Sequence, residues 1–307
     1  MKNLTKIISV FITPVFLLAS ISTSANAGKR ILFSIKGPGS GNPFWASVEK
    51  GAKEAAAKLG VALVLVAPPQ EGDVQAQINQ VEDQLAKGVD AIALAPGDPN
   101  AFAPIVDDAI KSGVPVVFVD TKAINEGVTF IGTNNKNGAA LAAKFICDKT
   151  PKGADVAVLT GIESQSTALL RRDGAVQGLK DCGLNLVATQ TAEWDTAKGR
   201  SVTESIILKN PNIKAIFASN DNMGLGAMQA LKDADMNDVI VVVFDATPDA
   251  AKSILAGEMT ATIAQFSYNM GAYGVKYALE LANGGSIDIN IDTGTQLVTK
   301  ANANDFK

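Results

Sequence analysis

Short apolar runs and amphipathic stretches alternate without a break from Lys29 onward, and few architectures tolerate that pattern. The strand-like runs are Ile31–Ile35, Ala62–Val66, Ala91–Leu94, Val114–Asp120, Asp155–Leu159, Leu186–Thr189, Ala215–Ala218, Val239–Asp245 and Ala261–Phe266. They are mostly apolar, which fits parallel strands covered on both faces. Between them lie helical patterns such as Val74, Ile78, Val81 and Leu85, whose spacing puts them on one face. Gly60, Gly88, Gly113, Gly183 and Gly257 stand where helices stop, as left-handed caps. The alternation predicts an α/β protein with parallel sheets and helices on both faces. More than eight strands in about 280 residues are housed more easily in two open sheets than in one. A closed eightfold barrel is the rival that periodicity alone leaves standing.

Residues 1–27 read as an export signal rather than fold. Lys2 and Lys6 form a charged start, Ile7 to Ile21 a mostly apolar run, and Ala25-Asn26-Ala27 a small-x-small cleavage site. The run is short and interrupted at Pro14, which disfavours a membrane span, and no cysteine near the cut invites a lipid. The mature chain is expected to begin near Gly28, after cleavage behind Ala27, and to be soluble. Of 27 basic residues, loss of Lys2 and Lys6 leaves 25 against 31 acidic ones. That balance argues against nucleic acid or an anionic membrane as partner. Histidine is absent, so the commonest general base and metal ligand is missing. This weighs against an enzyme while leaving carboxylate chemistry open. Cys147 and Cys182 are the only cysteines; in an oxidising compartment they are expected to pair, the alternative being two buried thiols. Neither a redox C-x-x-C nor a metal-ligand cluster is present, and no cofactor or metal is expected.

In open parallel sheets ligands bind just beyond the carboxyl ends of the strands. The stretch from Ala215 to Asp249 places Asn220 and Asp245 at two such ends, one helix and one strand apart. Val116–Asp120 repeats the strand-ending-in-Asp pattern; one such Asp reads as a helix cap, whereas two in corresponding places point to a shared crevice. The first strand-to-helix turn, Lys36 to Trp45, is glycine-rich, but its spacing matches neither G-x-G-x-x-G nor a P-loop. Pro43 suits a first helical position. Phe44 and Trp45 diverge by about 100° on a helix, so both cannot turn into the core and at least one is expected to face the crevice. Ile131–Asn135 reads either as a crossing between lobes or as an ordinary cap. Arg171 or Arg172 near a helix start opposes the dipole and wants a carboxylate or ligand oxygen, unless the pair is simply solvated. Trp194 sits in a polar loop and looks exposed, and Thr260–Phe266 ends a strand on the amide of Gln265.

Taken in order, Asn42-Pro43-Phe44-Trp45, Val119-Asp120, Arg171 with Gly174, Trp194-Asp195, Phe217–Asp221, Phe244–Asp249 and Ala261–Gln265 resemble the ribose-binding-protein branch of the periplasmic sugar-binding proteins. The resemblance runs from Lys29 to about Lys300. It implies two doubly wound parallel-sheet lobes joined by a three-segment hinge, the type I arrangement. The N-terminal lobe would be residues 28–133 plus 266–291, and the C-terminal lobe 134–265 plus 292–307. Asn42, Phe44, Trp45 and Asp120 would touch sugar from the first lobe, and Arg171, Trp194, Asn220, Asp245 and Gln265 from the second lobe or hinge. Aromatics suit the apolar faces of a sugar and carboxylates its hydroxyl rim, with charge-assisted bonds of about 1.5–3 kcal/mol each.

Two departures from the branch stand out: Thr121 follows Asp120 where an arginine is usual, and the Gly37–Gly41 turn is about four residues longer. Both alter the first-lobe wall and point away from ribose, leaving another pentose, a hexose or a polyol. The function implied is a monomeric, non-catalytic periplasmic receptor that hands a monosaccharide or polyol to the permease of an ABC transporter, with a chemoreceptor as a second partner. An exported carboxylate enzyme using Asp120 and Asp245 is the alternative. The ligand-binding half of a sugar-responsive repressor is less compatible with residues 1–27.

Overall fold

A computed structural model describes residues 28–307; the export signal expected at 1–27 lies outside the described residues. In chain order the elements are β1 (Arg30–Ser34), α1 (Pro43–Leu59), β2 (Ala62–Val66), α2 (Val74–Ala86), β3 (Ala91–Leu94), α3 (Ala103–Lys111), β4 (Val116–Val119) and β5 (Thr129–Gly132). There follow α4 (Asn135–Lys149), β6 (Asp155–Thr160), α5 (Ser166–Asp181), β7 (Asn185–Thr191), α6 (Thr196–Lys209), β8 (Ala215–Ala218) and α7 (Asp221–Asp233). The chain ends with β9 (Ile240–Asp245), α8 (Pro248–Ala256), β10 (Ala261–Ala264), α9 (Ser267–Ala282), β11 (Asn290–Asp292), β12 (Gln296–Val298) and a 3-10 turn at Ala303–Phe306.

The strands form two six-stranded sheets, ordered β11-β5-β4-β3-β1-β2 and β12-β10-β9-β8-β6-β7. The barrel is thereby excluded. Every pairing is parallel except β10 with β12. Central strands such as β3, β4, β8 and β10 are buried along their whole length, as strands between two helix layers must be.

The chain passes from the first sheet to the second between β5 and α4, returns between β10 and α9, and crosses again between β11 and β12. The Ile131–Asn135 stretch is both things the sequence allowed: it ends β5, changes sheet, and caps α4 through Asn134, whose side chain accepts from the Asn137 amide. The three crossings meet in a buried knot. Thr133 and Thr293 hydroxyls both donate to the Gln265 carbonyl, at 3.4 and 3.1 Å.

Polar caps set where the helices begin and hence which side chains stand at the strand ends. Asn42, Asp195, Asn220 and Thr247 each accept a backbone N–H from the first turn of α1, α6, α7 and α8. Helices α1 and α8 stop on Gly60 and Gly257 in the left-handed region. Gly88, Gly113 and Gly183 take that conformation two residues past the ends of α2, α3 and α5. The strands the sequence did not reveal are β5, β11 and β12, each only three or four residues long.

Cys147 on α4 and Cys182 at the end of α5 are joined, with Cα atoms 6.2 Å apart, tying two helices that pack on the second sheet. The bridge closes a loop of 35 residues, so in the chain-entropy model it contributes about 3–4 kcal/mol. The double variant Cys147→Ala/Cys182→Ala of the mature chain is expected to lose about that much in urea denaturation, a comparison that also shows any change of slope.

Candidate functional site

Beyond the carboxyl ends of both sheets lies a nearly closed cleft with about 20 Å³ of free volume, lined by Lys36, Asn42, Phe44, Trp45, Glu71, Asp120, Thr167, Arg171, Trp194, Asn220, Asp245 and Gln265. All nine residues singled out from sequence border it. Asn42, Phe44 and Trp45 come from the start of α1, and Asp120 from the residue after β4. Arg171 comes from the second turn of α5, Trp194 from the turn before α6, Asn220 from the cap of α7, Asp245 from the end of β9 and Gln265 from the residue after β10. The walls stand nearly in contact, well short of the roughly 300–1,000 Å³ of an open ligand cleft, so the cleft must open to admit a ligand. A larger groove of about 550 Å³ opens on the outside between α7 and α8, around Met228, Lys232 and Lys252. It holds none of the buried charged groups, and the site is assigned by chemistry rather than by size.

On the second-sheet wall, Arg171 is 3% exposed. Its Nε donates to Asn135 Oδ1 at 2.7 Å, Nη1 to the Ser219 carbonyl at 2.8 Å and to Asp245 Oδ1 at 3.3 Å, and Nη2 to Gln265 Oε1 at 3.1 Å. The guanidinium lies 4.0 Å from the Phe244 ring centroid and 5.6 Å from that of Trp194. Gln265 Nε2 donates in turn to Asp245 Oδ1. Arg172, by contrast, pairs with Asp173 at the surface, the ordinary fate of such a residue.

On the opposite wall, Lys36 is buried and its ammonium lies 3.1 Å from Asp120 and 3.5 Å from Glu71. It also donates to Gln165 Oε1 at 2.7 Å, across to the other side of the cleft. The same oxygen accepts from Trp194 Nε1 at 2.8 Å, while Trp45 Nε1 donates to Glu71 at 3.0 Å. The Lys36 nitrogen thus stands between the two indoles, 5.7 and 5.8 Å from their centroids. Gln165 Nε2 and Thr167 Oγ1 are buried without a protein partner.

Asp120, Trp194 and Asp245 have φ of +62°, +66° and +123°, conformations that non-glycine residues adopt only where the surroundings enforce them. Strain of this kind gathers where side chains must be aimed.

A family model described as periplasmic binding protein domain matches residues 33–286. The chain belongs to the periplasmic binding protein family. It is 33% identical to the ribose import binding protein RbsB of Escherichia coli over 96% of this chain and 99% of that one. To the D-allose-binding periplasmic protein of the same organism it is 36% identical, over 87% and 89%. Among solved structures, an ABC transporter periplasmic solute binding protein from Actinobacillus succinogenes with bound D-allose superposes with a TM-score of 0.85 at 30% identity, covering 91% of this chain and all of that one. The type I two-sheet architecture is the one these structures share.

For this periplasmic binding protein several sequence expectations need correction. Phe44 and Trp45 are both buried, 7% and 1% exposed, and both border the cleft. Their rings meet edge to face at 4.9 Å; the first turn of α1 stands where core and cleft join, so both pack in the core and still face the crevice as expected of at least one. Trp194 is only 7% exposed because its ring is laid against Gly161. The glycine-rich turn is no phosphate cradle: its Gly39 amide is taken by the Glu49 carboxylate at 2.9 Å. Thr121 turns away and donates to the Pro96 carbonyl, so the cation beside Asp120 is Lys36. Lys36, Glu71, Gln165 and Thr167 were missed. Lys36 obeys the strand-end rule that found Asn220 and Asp245, standing two residues past β1, but the glycines after it drew the reading elsewhere.

Burial pushes the Asp245 carboxyl well above its ordinary range against the opposing charge of Arg171, with neighbouring Asp221 adding to the rise. Asp221 lies fully buried behind it, and burial lifts its pKa to about 7 despite hydrogen bonds from Thr247 and Thr262. Both groups bind protons more tightly folded than unfolded, so they make unfolding free energy fall as pH rises from about 4 to about 7. With no histidine in the chain, few other groups titrate between about pH 5 and 7. Urea denaturation of the unliganded protein is expected to show a higher midpoint at the acidic end of that window, and Asp221→Asn to flatten the trend. At Gly161 an added Cβ would lie 2.0 Å from a ring carbon of Trp194. Gly161→Ala should therefore expel that indole and shift tryptophan emission to the red, a change read cleanly in a Trp45→Phe background.

Proposed function

We propose that this chain is the solute-binding component of an ABC sugar importer, receiving a monosaccharide or polyol between two closing lobes and delivering it to the membrane permease. Residues 28–133 with 266–291 form one lobe and 134–265 with 292–307 the other, hinged at the three crossings. The mature protein acts as a monomer in the periplasm and presents its closed form to the permease and to a chemoreceptor. Asn42, Phe44, Trp45 and Asp120 hold the ligand from one lobe; Arg171, Trp194, Asn220, Asp245 and Gln265 hold it from the other.

One observation carries the reading: hydrogen-bonding groups of both signs and two indoles, drawn from both sheets, converge on a single small cleft. A sugar matches that lining, with C–H faces for the indoles and hydroxyls that both donate and accept. The names of the relatives, ribose import and D-allose-binding, support the ligand class. Asp245 is engaged by Arg171 and Gln265, and Asp120 by Lys36, contacts that hold each carboxyl in place at the edge of the cleft, where a ligand hydroxyl can meet it.

Thermal-shift screening of residues 28–307 against monosaccharides and polyols, D-allose, D-ribose and myo-inositol included, is expected to single out a stabilising ligand. Asp245→Ala should then weaken binding of that ligand at least about tenfold by calorimetry, about 1.4 kcal/mol. An unchanged dissociation constant would remove the cleft from the function.

A further inference from the structure

Asp221 is not among the residues lining the cleft, yet it is fully buried and its two oxygens are spent on the turn after Asp245 and on neighbouring β10. Its Oδ2 accepts the Thr247 backbone N–H at 2.6 Å, and its Oδ1 accepts the Thr262 hydroxyl at 2.7 Å. That hydroxyl itself accepts the Ala246 N–H at 3.2 Å. The two amides that follow Asp245 are therefore tied, one directly and one through Thr262, to a single carboxylate. They follow the most strained backbone of the site, Asp245 at φ +123° and Ala246 at +58°.

An acidic residue in the first turn of a helix ordinarily serves that helix. Here the cap of α7 is already made by Asn220, whose side chain accepts the Met223 N–H at 2.9 Å. The Asp221 carboxylate instead reaches from the end of β8 across β9 to β10. A close approach makes the reach possible: at Gly224 a Cβ would meet Val243 at 2.1 Å, so α7 lies directly on β9. We propose that Asp221 is a positioning residue for ligand capture, holding the strained Asp245–Ala246 turn so that the Asp245 carboxylate points into the cleft. The inference rests on the ligand-binding reading given above and extends it to a residue that no ligand touches.

The test is a double-mutant cycle on the mature protein, with the sugar giving the largest thermal shift as probe. Asp221→Ala is expected to weaken binding about tenfold or more and Thr262→Val about fivefold. Asp221→Asn should stay within about threefold, because its amide oxygen still accepts from Thr247 and its NH₂ can donate to the second lone pair of the Thr262 hydroxyl. In an Asp245→Ala background the Asp221→Ala change should add less than about twofold. A full additive loss there would make Asp221 merely structural and overturn the proposal, as would an unchanged constant for Asp221→Ala with Asp245 present. If Asp221→Ala does not fold, Thr262→Val run through the same cycle decides. A ligand-free readout stands beside these: hydrogen exchange at the Ala246 and Thr247 amides should accelerate at least about tenfold in Thr262→Val or Asp221→Ala. Unchanged protection would also overturn the proposal. Failure of Asp245→Ala itself to weaken binding would instead strike the cleft reading, leaving the exchange result to judge the turn.

Discussion

The buried guanidinium of Arg171 is the constraint to which the second wall of the cleft is fitted. A cation with 3% of its surface exposed survives only if its charge and its N–H groups are matched, since an unmatched buried charge costs several kcal/mol. Arg171 obtains five partners from four places: Asn135 at the start of α4, Ser219 after β8, Asp245 and the Phe244 ring at the end of β9, and Gln265 after β10. Four elements that are distant in sequence are thereby held to one geometry. The arginine also offsets part of the desolvation that raises the Asp245 carboxyl. Pair and wall stand together: without the cation, Asp245 would be a buried carboxylate beside Asp221 with nothing to balance either.

The first wall repeats the solution with different parts. Lys36 lies between Asp120 and Glu71 and reaches Gln165 on the far side. Each wall thus carries one cation faced by carboxyls, Asp120 and Glu71 about Lys36 and Asp245 with Asp221 behind it about Arg171. A neutral ligand that exchanges hydrogen bonds suits such a cleft better than an anion. Neutral polyhydroxy compounds meet that requirement, and the indoles of Trp45 and Trp194 favour one with an apolar face.

Much of this was legible in the sequence because one rule governs both fold and site. In a parallel sheet the residue at the carboxyl end of a strand has nowhere to go but the crevice, which is how Asp120, Asn220, Asp245 and Gln265 could be read as neighbours across more than a hundred residues. Lys36 obeys the same rule and was hidden only by the glycines that follow it. Glu71 and Gln165 could not have been found that way. They lie in loops, and their places depend on tertiary partners, the Trp45 and Trp194 indoles among them. Strands β11 and β12 escaped for a related reason: three residues carry no period, and pairing with β5 and β10 alone makes them strands.

Gln265 shows how the cleft and the crossings between the sheets are physically one object. Its side chain accepts from Arg171 and donates to Asp245. Its carbonyl accepts from Thr133 and Thr293, which stand in the other two crossings and are within 3.3 Å of each other. Phe266, next in the chain, is held at φ +54° before α9 begins. A rotation of one sheet against the other must turn about these three segments, because among the described residues no other backbone joins the two halves. Such a rotation moves the Gln265 backbone, and its amide is locked to the two charged groups at the centre of the second wall. Asp245 is therefore linked to the crossings through one residue, Gln265.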